Sequence, residues 1–590
     1  MPGFEDRSSN WPVSSRVARH LPSLPALVCA LALIGLPACS GKNDAAPASA
    51  SSTASRGGSL TATIRSQPTT FNRFAPGASL APVDVVSRLT QATLVRVNRV
   101  TGEPEPWLAE KWTTSADGKT FTLTLRDGVT FSDGHPFSSD DVVFTFRALY
   151  DPEVKSSIAA GVLVQNKPLQ VSAPDPRTVV VTLPAPFAPG VALLDSVPIL
   201  PKHLLQASLD AHTFGTAWGV NTPPASMAGL GPFVIGEFVS GQRMTFTRNP
   251  RYWRKDASGT QLPYLDSIAM EFVSGGQDAE MLRFQSGAVD VMTIGEVRAE
   301  DVASLRRLRD QGSIQLLDVG TSVDPLVVWF NLTPGNNAVK AKPYLQQPEF
   351  RQAISYGIDR DAIVKTVYLG AAEPAYGPVS PGNKTWSSAS APTFPHDTAK
   401  AKALLAGIGL IDRNNDGMLD DAKGKPVRVA VLVQAQTIRE RTMTIVQEQL
   451  RQVGIAIDVV GLDPNSMFGR FGAGDYESIC HAFQASSFDP AMNLDFWLSG
   501  GNGHVWNVGA PAPWEQQLDA IMQQQVAAPA LAERQRLLLE AEKIFAAQQP
   551  EVYVLAPKVT IALSRRVGGA VPALLEPKVL WNADSLYVKR

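Results

Sequence analysis

Residues 108–146 read LAEKWTTSADGKTFTLTLRDGVTFSDGHPFSSDDVVFTF. Within them "TFTLTL" (120–125) alternates apolar and polar, as a half-buried strand must when side chains point to opposite faces of a sheet. Asp117-Gly118 precedes it, and such a pair between alternating runs predicts a two-residue hairpin turn. Asp127-Gly128 ends the same strand. "SSDDVVFTF" then opens on Ser138 with Asp141 three residues later, the start signal of a helix. Strand, turn, strand and capped helix thus follow one another within forty residues, and the segment is mixed α and β.

The same mixture continues outward. "SLTATI" (59–64) alternates as a strand, and "GDYESICHAF" reads as another. Helical periodicity runs over 347–369, 397–407 and 436–453. It returns in "LAERQRLLLEAEKIFAAQ", with an apolar face and charges opposite. There is no internal repeat. The whole is an α/β (mixed α+β) chain of 590 residues, too long for one domain, and the usual domain size predicts about three units.

With 44% hydrophobic and 18% charged residues the composition is that of a globular protein. The net charge of −2 leaves no basic excess to neutralise phosphates, which argues against a nucleic-acid partner. Of the three cysteines, Cys29 and Cys39 sit near the N-terminus and Cys480 stands alone, so the fold is expected to rest on its core, without disulfides.

The N-terminus reads as an address. Arg16 and Arg19 precede "ALVCALALIGL", a run of signal-peptide length and too short to span a bilayer. It ends in "LPACS", which resembles a bacterial lipobox with Cys39 as the lipidated residue. Residues 1–38 are then a lipoprotein signal peptide. The Ser-, Ala- and Gly-rich stretch at 39–58 is a flexible tether, too poor in apolar residues to fold.

Candidate chemistry is sparse. "DGKT" at 117–120 lacks the upstream glycine of a phosphate loop, since position 113 is threonine. No zinc-spaced Cys or His pair and no nucleophile elbow occurs. Asp412, Asn414 and Asp416, followed by Gly417, resemble the first half of a calcium loop. The twelfth position, which should carry a bidentate Glu, is Lys423, and an Asx-rich turn is the competing reading. No resident metal or cofactor is expected. Trp497, Trp506 and Trp514 cluster just after "SSFDPAMN" (486–493), either as core or as a pocket lining.

The opening stretch, together with "GLGPFVIGEFVSGQRMTFTRNPRYW", "LRFQSGAVDV", "PEFRQAISYGIDRDAIVKTVYLGAAEPAYGPVSP", "AKALLAGIGL" and "EQLRQVGIAIDVV", resembles the bacterial extracellular solute-binding proteins of family 5. These are the oligopeptide-, dipeptide- and nickel-binding components of ABC importers. The resemblance covers nearly all of residues 59–560. It implies a two-lobed periplasmic-binding-protein fold with a small domain inserted in lobe I and two hinge crossings. Lobe I would be 59–323 plus 549–590, with the insertion at about 86–199, and lobe II 324–548. The crossings would lie near 325–332 and 550–557.

The resemblance also implies the function. Ligand, a peptide or small solute, would close the lobes, and the closed form would be read by the ABC permease subunits. The protein would be a monomer held by its lipid on the periplasmic or extracellular face of a membrane, with no catalysis. In peptide-binding relatives an aspartate in an Asp-Pro motif meets the peptide ammonium, which points here to Asp489, with Phe488, Asn493 and Trp506 as neighbouring contacts. Some relatives place a carboxylate-binding arginine six residues earlier, where this chain has Phe483. A secreted hydrolase and a calcium-stabilised structural lipoprotein are the alternative readings.

Overall fold

A computed structural model describes residues 55–78, 80–293, 297–435, 437–482 and 487–589. The signal peptide, Cys29, Cys39, Phe483 and most of the tether lie outside the described residues. Among those described, no helix is long and apolar enough to cross a membrane.

The quoted stretch forms strands Ala109–Thr114 and Thr120–Leu125, joined in an antiparallel pair. The turn is longer than the two residues expected. Ser115 N–H donates to Thr120 O, and Asp117 accepts from the Ser115 hydroxyl and the Lys119 N–H across the loop. Asp117 therefore closes the loop with its side chain, and Gly118 supplies the positive φ of +69°. The pair extends to Thr178–Thr182 and Gln170–Asp175 in a separate four-stranded sheet. Helix Ser139–Tyr150 starts on a capping box: Ser138 Oγ accepts from Asp140 N–H, and Ser138 N–H donates to Asp141 at 2.9 Å.

The main sheet runs through the molecule. Its order is Phe233–Val239, Arg243–Arg248, Ser267–Phe272, Ser59–Ile64, Val291–Met292, Glu551–Ser564, Leu326–Phe330, Ser478–His481, Arg428–Gln434 and Ala456–Leu462. The spine is Glu551–Ser564. Its C-terminal part pairs with Ile314–Thr321, and its N-terminal part with Leu326–Phe330 and Ala372–Pro374. Only residues 322–325 separate the two strands that flank it, so the chain passes between the two halves along adjacent strands. The sheet is backed by two large apolar cores. One gathers Leu60, Phe131, Phe246 and Ile561, the other Trp329, Phe350, Val431 and Tyr553. Burying an apolar face on each side of a narrow strand crossing gives two bodies with a cleft between them.

Two buried arginines fasten the spine strand and the chain entering it. Arg360 donates to Tyr553 O at 2.7 and 3.0 Å and to Ala375 O at 3.0 Å, and Arg351 donates to Gln548 O and Gln549 O. Burial lowers the Arg360 guanidinium to about 10, still charged at neutral pH, and the carbonyls supply the solvation that water would. The helical pattern over 347–369 divides into Pro348–Gly357 and Arg360–Thr366. Asp359 breaks it by accepting from Ala362 N–H as the N-cap of the second piece. Cys480 is buried and free, and burial pushes its thiol up to about 12.

Candidate ligand-binding cleft

Ligands of open α/β sheets sit beyond the carboxyl ends of the parallel strands. Ser59–Ile64 ends at Arg65, Arg428–Gln434 ends at Gln434, and Ser478–His481 ends beside Ala482. Arg65 from one body and Gln434 and Ala482 from the other line the same cavity of about 480 Å³. Asp324 and Lys558 from the crossing strands also face it.

The walls of this cavity are cationic. Arg65, Arg298, Arg439, Arg441 and Lys558 stand against Glu300 and Asp324. Three of the cations are matched. Arg65 meets the buried Glu280 at 3.0 Å, and Arg298 meets Asp278 and Asp301. Arg441 meets Glu300 at 3.1 Å across the mouth between the two bodies. The charged ends of Arg439 and Lys558 have no acidic or carbonyl partner among the described residues. The field of Arg439 is felt nearby: burial first, then this guanidinium, push the His481 imidazole down to about 4, so it is neutral at physiological pH.

A second cavity of about 500 Å³ lies between the segments around 97–104 and 188–196 and those around 385–386, 487–492 and 529–534. Its walls carry Arg99, Gly102 and Asp195 on one side and Trp386, Phe488, Asp489 and Arg534 on the other. Here the arginines are matched. Arg99 meets Asp195 at 2.6 Å, and Arg534 holds Asp489 by two bonds of 2.8 and 2.5 Å. The two sides touch. Ala188 N–H donates to Val526 O, and a side chain on Gly102 would collide with the Phe488 ring, whose Cδ2 would lie 2.7 Å from the new Cβ.

The residues singled out from sequence divide. Phe488 and Asp489 line the second cavity. Asp489 also caps the short helix Pro490–Asn493 by accepting from Ala491 N–H at 2.9 Å. Its charge is balanced by Arg534, so it braces the scaffold as well as lining the cavity. Asn493 closes that helix and lies in neither cavity wall.

Trp506 requires correction as a ligand contact. It is fully buried in the second core, with Nε1 donating to Glu515 at 3.0 Å and its ring against Phe496 and Phe545. Glu515 gathers His504, Trp506, Asn507 and the Ala512 N–H. Burial raises its pKa, but these bonds outweigh burial and hold it below the usual carboxylate value.

Asp412, Asn414 and Asp416 bond their own loop: Asp412 accepts from Asp416 and Gly417 N–H, and Asp416 from Met418 N–H. No cluster of metal-ligating acids, Cys or His occurs among the described residues, and the loop is an Asx turn. Arg439, Lys558 and Trp386 escaped the sequence reading. A lone arginine at a helix start has no local signature, and only the fold shows that it faces a cavity.

A profile of the bacterial extracellular solute-binding proteins, family 5 (Middle), matches residues 103–504, and the chain belongs to that family. It is 26% identical over 523 residues to a probable ABC transporter-binding protein of Deinococcus radiodurans, covering 85% of this chain and 87% of that one. The fold matches the oligopeptide-binding protein AppA of Bacillus subtilis, solved with a nonapeptide, at TM-score 0.69 and 22% identity, over 91% of this chain and all of the other. It also matches the periplasmic binding protein MelB of Agrobacterium fabrum C58, solved with stachyose, at TM-score 0.71 and 22% identity, over 91% and 85%.

Proposed function

We propose that this protein captures a peptide or peptide-like solute between its two lobes outside the cytoplasm and delivers it to the permease subunits of an ABC importer. The observation that carries the reading is the placement of two cavities of about 480 and 500 Å³ between two separately packed cores that meet along adjacent strands. Such an arrangement can close around a solute with little loss of packing in either body. Closure is favoured by as much as the ligand binds the closed form better than the open one. The chain binds and releases and carries out no reaction.

Relatives solved with a nonapeptide and with stachyose share this fold, so backbone architecture alone does not choose the ligand. The peptide reading is supported by the oligopeptide-binding relatives, AppA of Bacillus subtilis among them. Phe488 and Asp489 are the proposed contacts in the second cavity, where a ligand ammonium would share Asp489 with Arg534. Lipidation at Cys39 would hold the body at the membrane surface, and the protein would act as a monomer.

Native mass spectrometry of the protein purified from its own host tests the reading. A trapped solute of peptide mass is expected. Empty protein, together with a peptide library that leaves the melting temperature unmoved, would defeat it.

A further inference from the structure

We propose that the transported solute carries an oxyanion, a carboxylate or a phosphate, that docks against Arg439 in the cationic cavity. The inference rests on the solute-receptor reading and narrows it. Arg65, Arg298 and Arg441 have carboxylate partners of their own, so the field of those pairs is largely cancelled. Arg439 is half-buried on the cavity wall and has no such partner among the described residues. Lys558, on the crossing strand, adds to the same space a second cation without an acidic partner among the described residues.

A guanidinium that loses water without gaining an acceptor raises the free energy of the closed state. A bound oxyanion removes that penalty, and Arg presents two parallel donors to such a group. Helix Ile438–Arg451 begins at the same wall. The hydroxyl of its N-cap Thr437 donates to Gln434 O and makes no cap bond to the first turn, but Glu440 in that turn offsets the helix dipole, so the field at this wall is that of the side chains. The opposite cavity has no counterpart, since its arginines are spent on Asp195 and Asp489. A neutral oligosaccharide would leave Arg439 unmatched, and this is the feature that separates an anionic from a neutral cargo.

The test is calorimetric titration of the full chain with four probes: penta-alanine, its C-terminal amide, tricarballylate and raffinose. Binding of penta-alanine at least ~10-fold tighter than its amide is the outcome expected for a peptide carboxylate, since a charge-assisted bond is worth that factor or more. Tricarballylate binding while both peptides fail would assign the oxyanion to a non-peptide solute. In either case Arg439→Gln is expected to weaken the acid at least ~10-fold. Because Arg439 has no partner to lose among the described residues, the variant should melt with wild type.

Equal affinity for acid and amide, equal affinity of wild type and Arg439→Gln, or failure of both acids to bind overturns the proposal. Binding of raffinose alone overturns it too and leaves the solute receptor standing. A chain that binds no probe and also comes empty from its host fails the receptor reading itself.

Discussion

The two interlobe cavities are nearly equal in size, yet they spend charge differently. In one, Arg534 grips Asp489 and Arg99 grips Asp195, each arginine almost fully buried. In the other, Arg439 and Lys558 face the space without an acidic partner among the described residues. A matched charge in a wall is part of the scaffold, whereas an unmatched one is available to a ligand. The aspartate that sequence singles out as a ligand anchor is already held by the scaffold, and a ligand ammonium would have to share it with Arg534. The arginine that sequence passes over is on the ligand side.

The comparison breaks most readily at Arg534. Arg534→Ala leaves Asp489 partly buried without its partner and should cost about 3 kcal/mol, at the low end for a broken buried pair because the Asp489 side chain is 23% exposed. Urea unfolding measures it. A loss under 1 kcal/mol would mean that the pair is not structural and that Arg534 does not hold Asp489 in place.

Glu551, on the spine strand between the cavities, should act in the opposite direction. Burial pushes its carboxyl up to about 8, against the bond from Tyr553, while the unfolded chain ionises near 4.5. The folded state therefore holds a proton that the unfolded state has released. The favourable contribution is complete below about pH 4.5 and is lost as the pH rises towards 8. Glu551→Gln keeps a partner for Tyr553 without the proton, and should stabilise the protein by about 1–3 kcal/mol at pH 8.5 and by almost nothing at pH 4. Unfolding midpoints across pH decide it, and a pH-independent difference would show that Glu551 does not titrate upward.

Gly102→Ala probes the contact between the bodies. The position has φ +79°, and a methyl there would run into Phe488. Backbone strain of about 1 kcal/mol is expected, together with a more open particle in small-angle scattering. An unchanged scattering profile would show that Phe488 yields locally. The smallest expected effect is on the stability of Arg439→Gln, within about 0.5 kcal/mol as for a surface change without partners. A larger loss would move Arg439 to the scaffold side of the comparison.

The sequence by itself determined the class of the chain: the alternation of Thr120–Leu125, the Ser138–Asp141 cap and the long helical patterns are local, and local order depends on residues a few positions apart. The order of its sequence blocks also pointed to the family. Tertiary structure alone decided the site. Asp489 and Arg534 are 45 residues apart, Glu515 draws Trp506 inward, and Arg439 meets the cavity across from Arg65. Whether a charge is matched depends on which distant side chain the fold brings within hydrogen-bond reach. That proximity is set by the packing of two cores about a shared strand, and no short stretch of sequence records it.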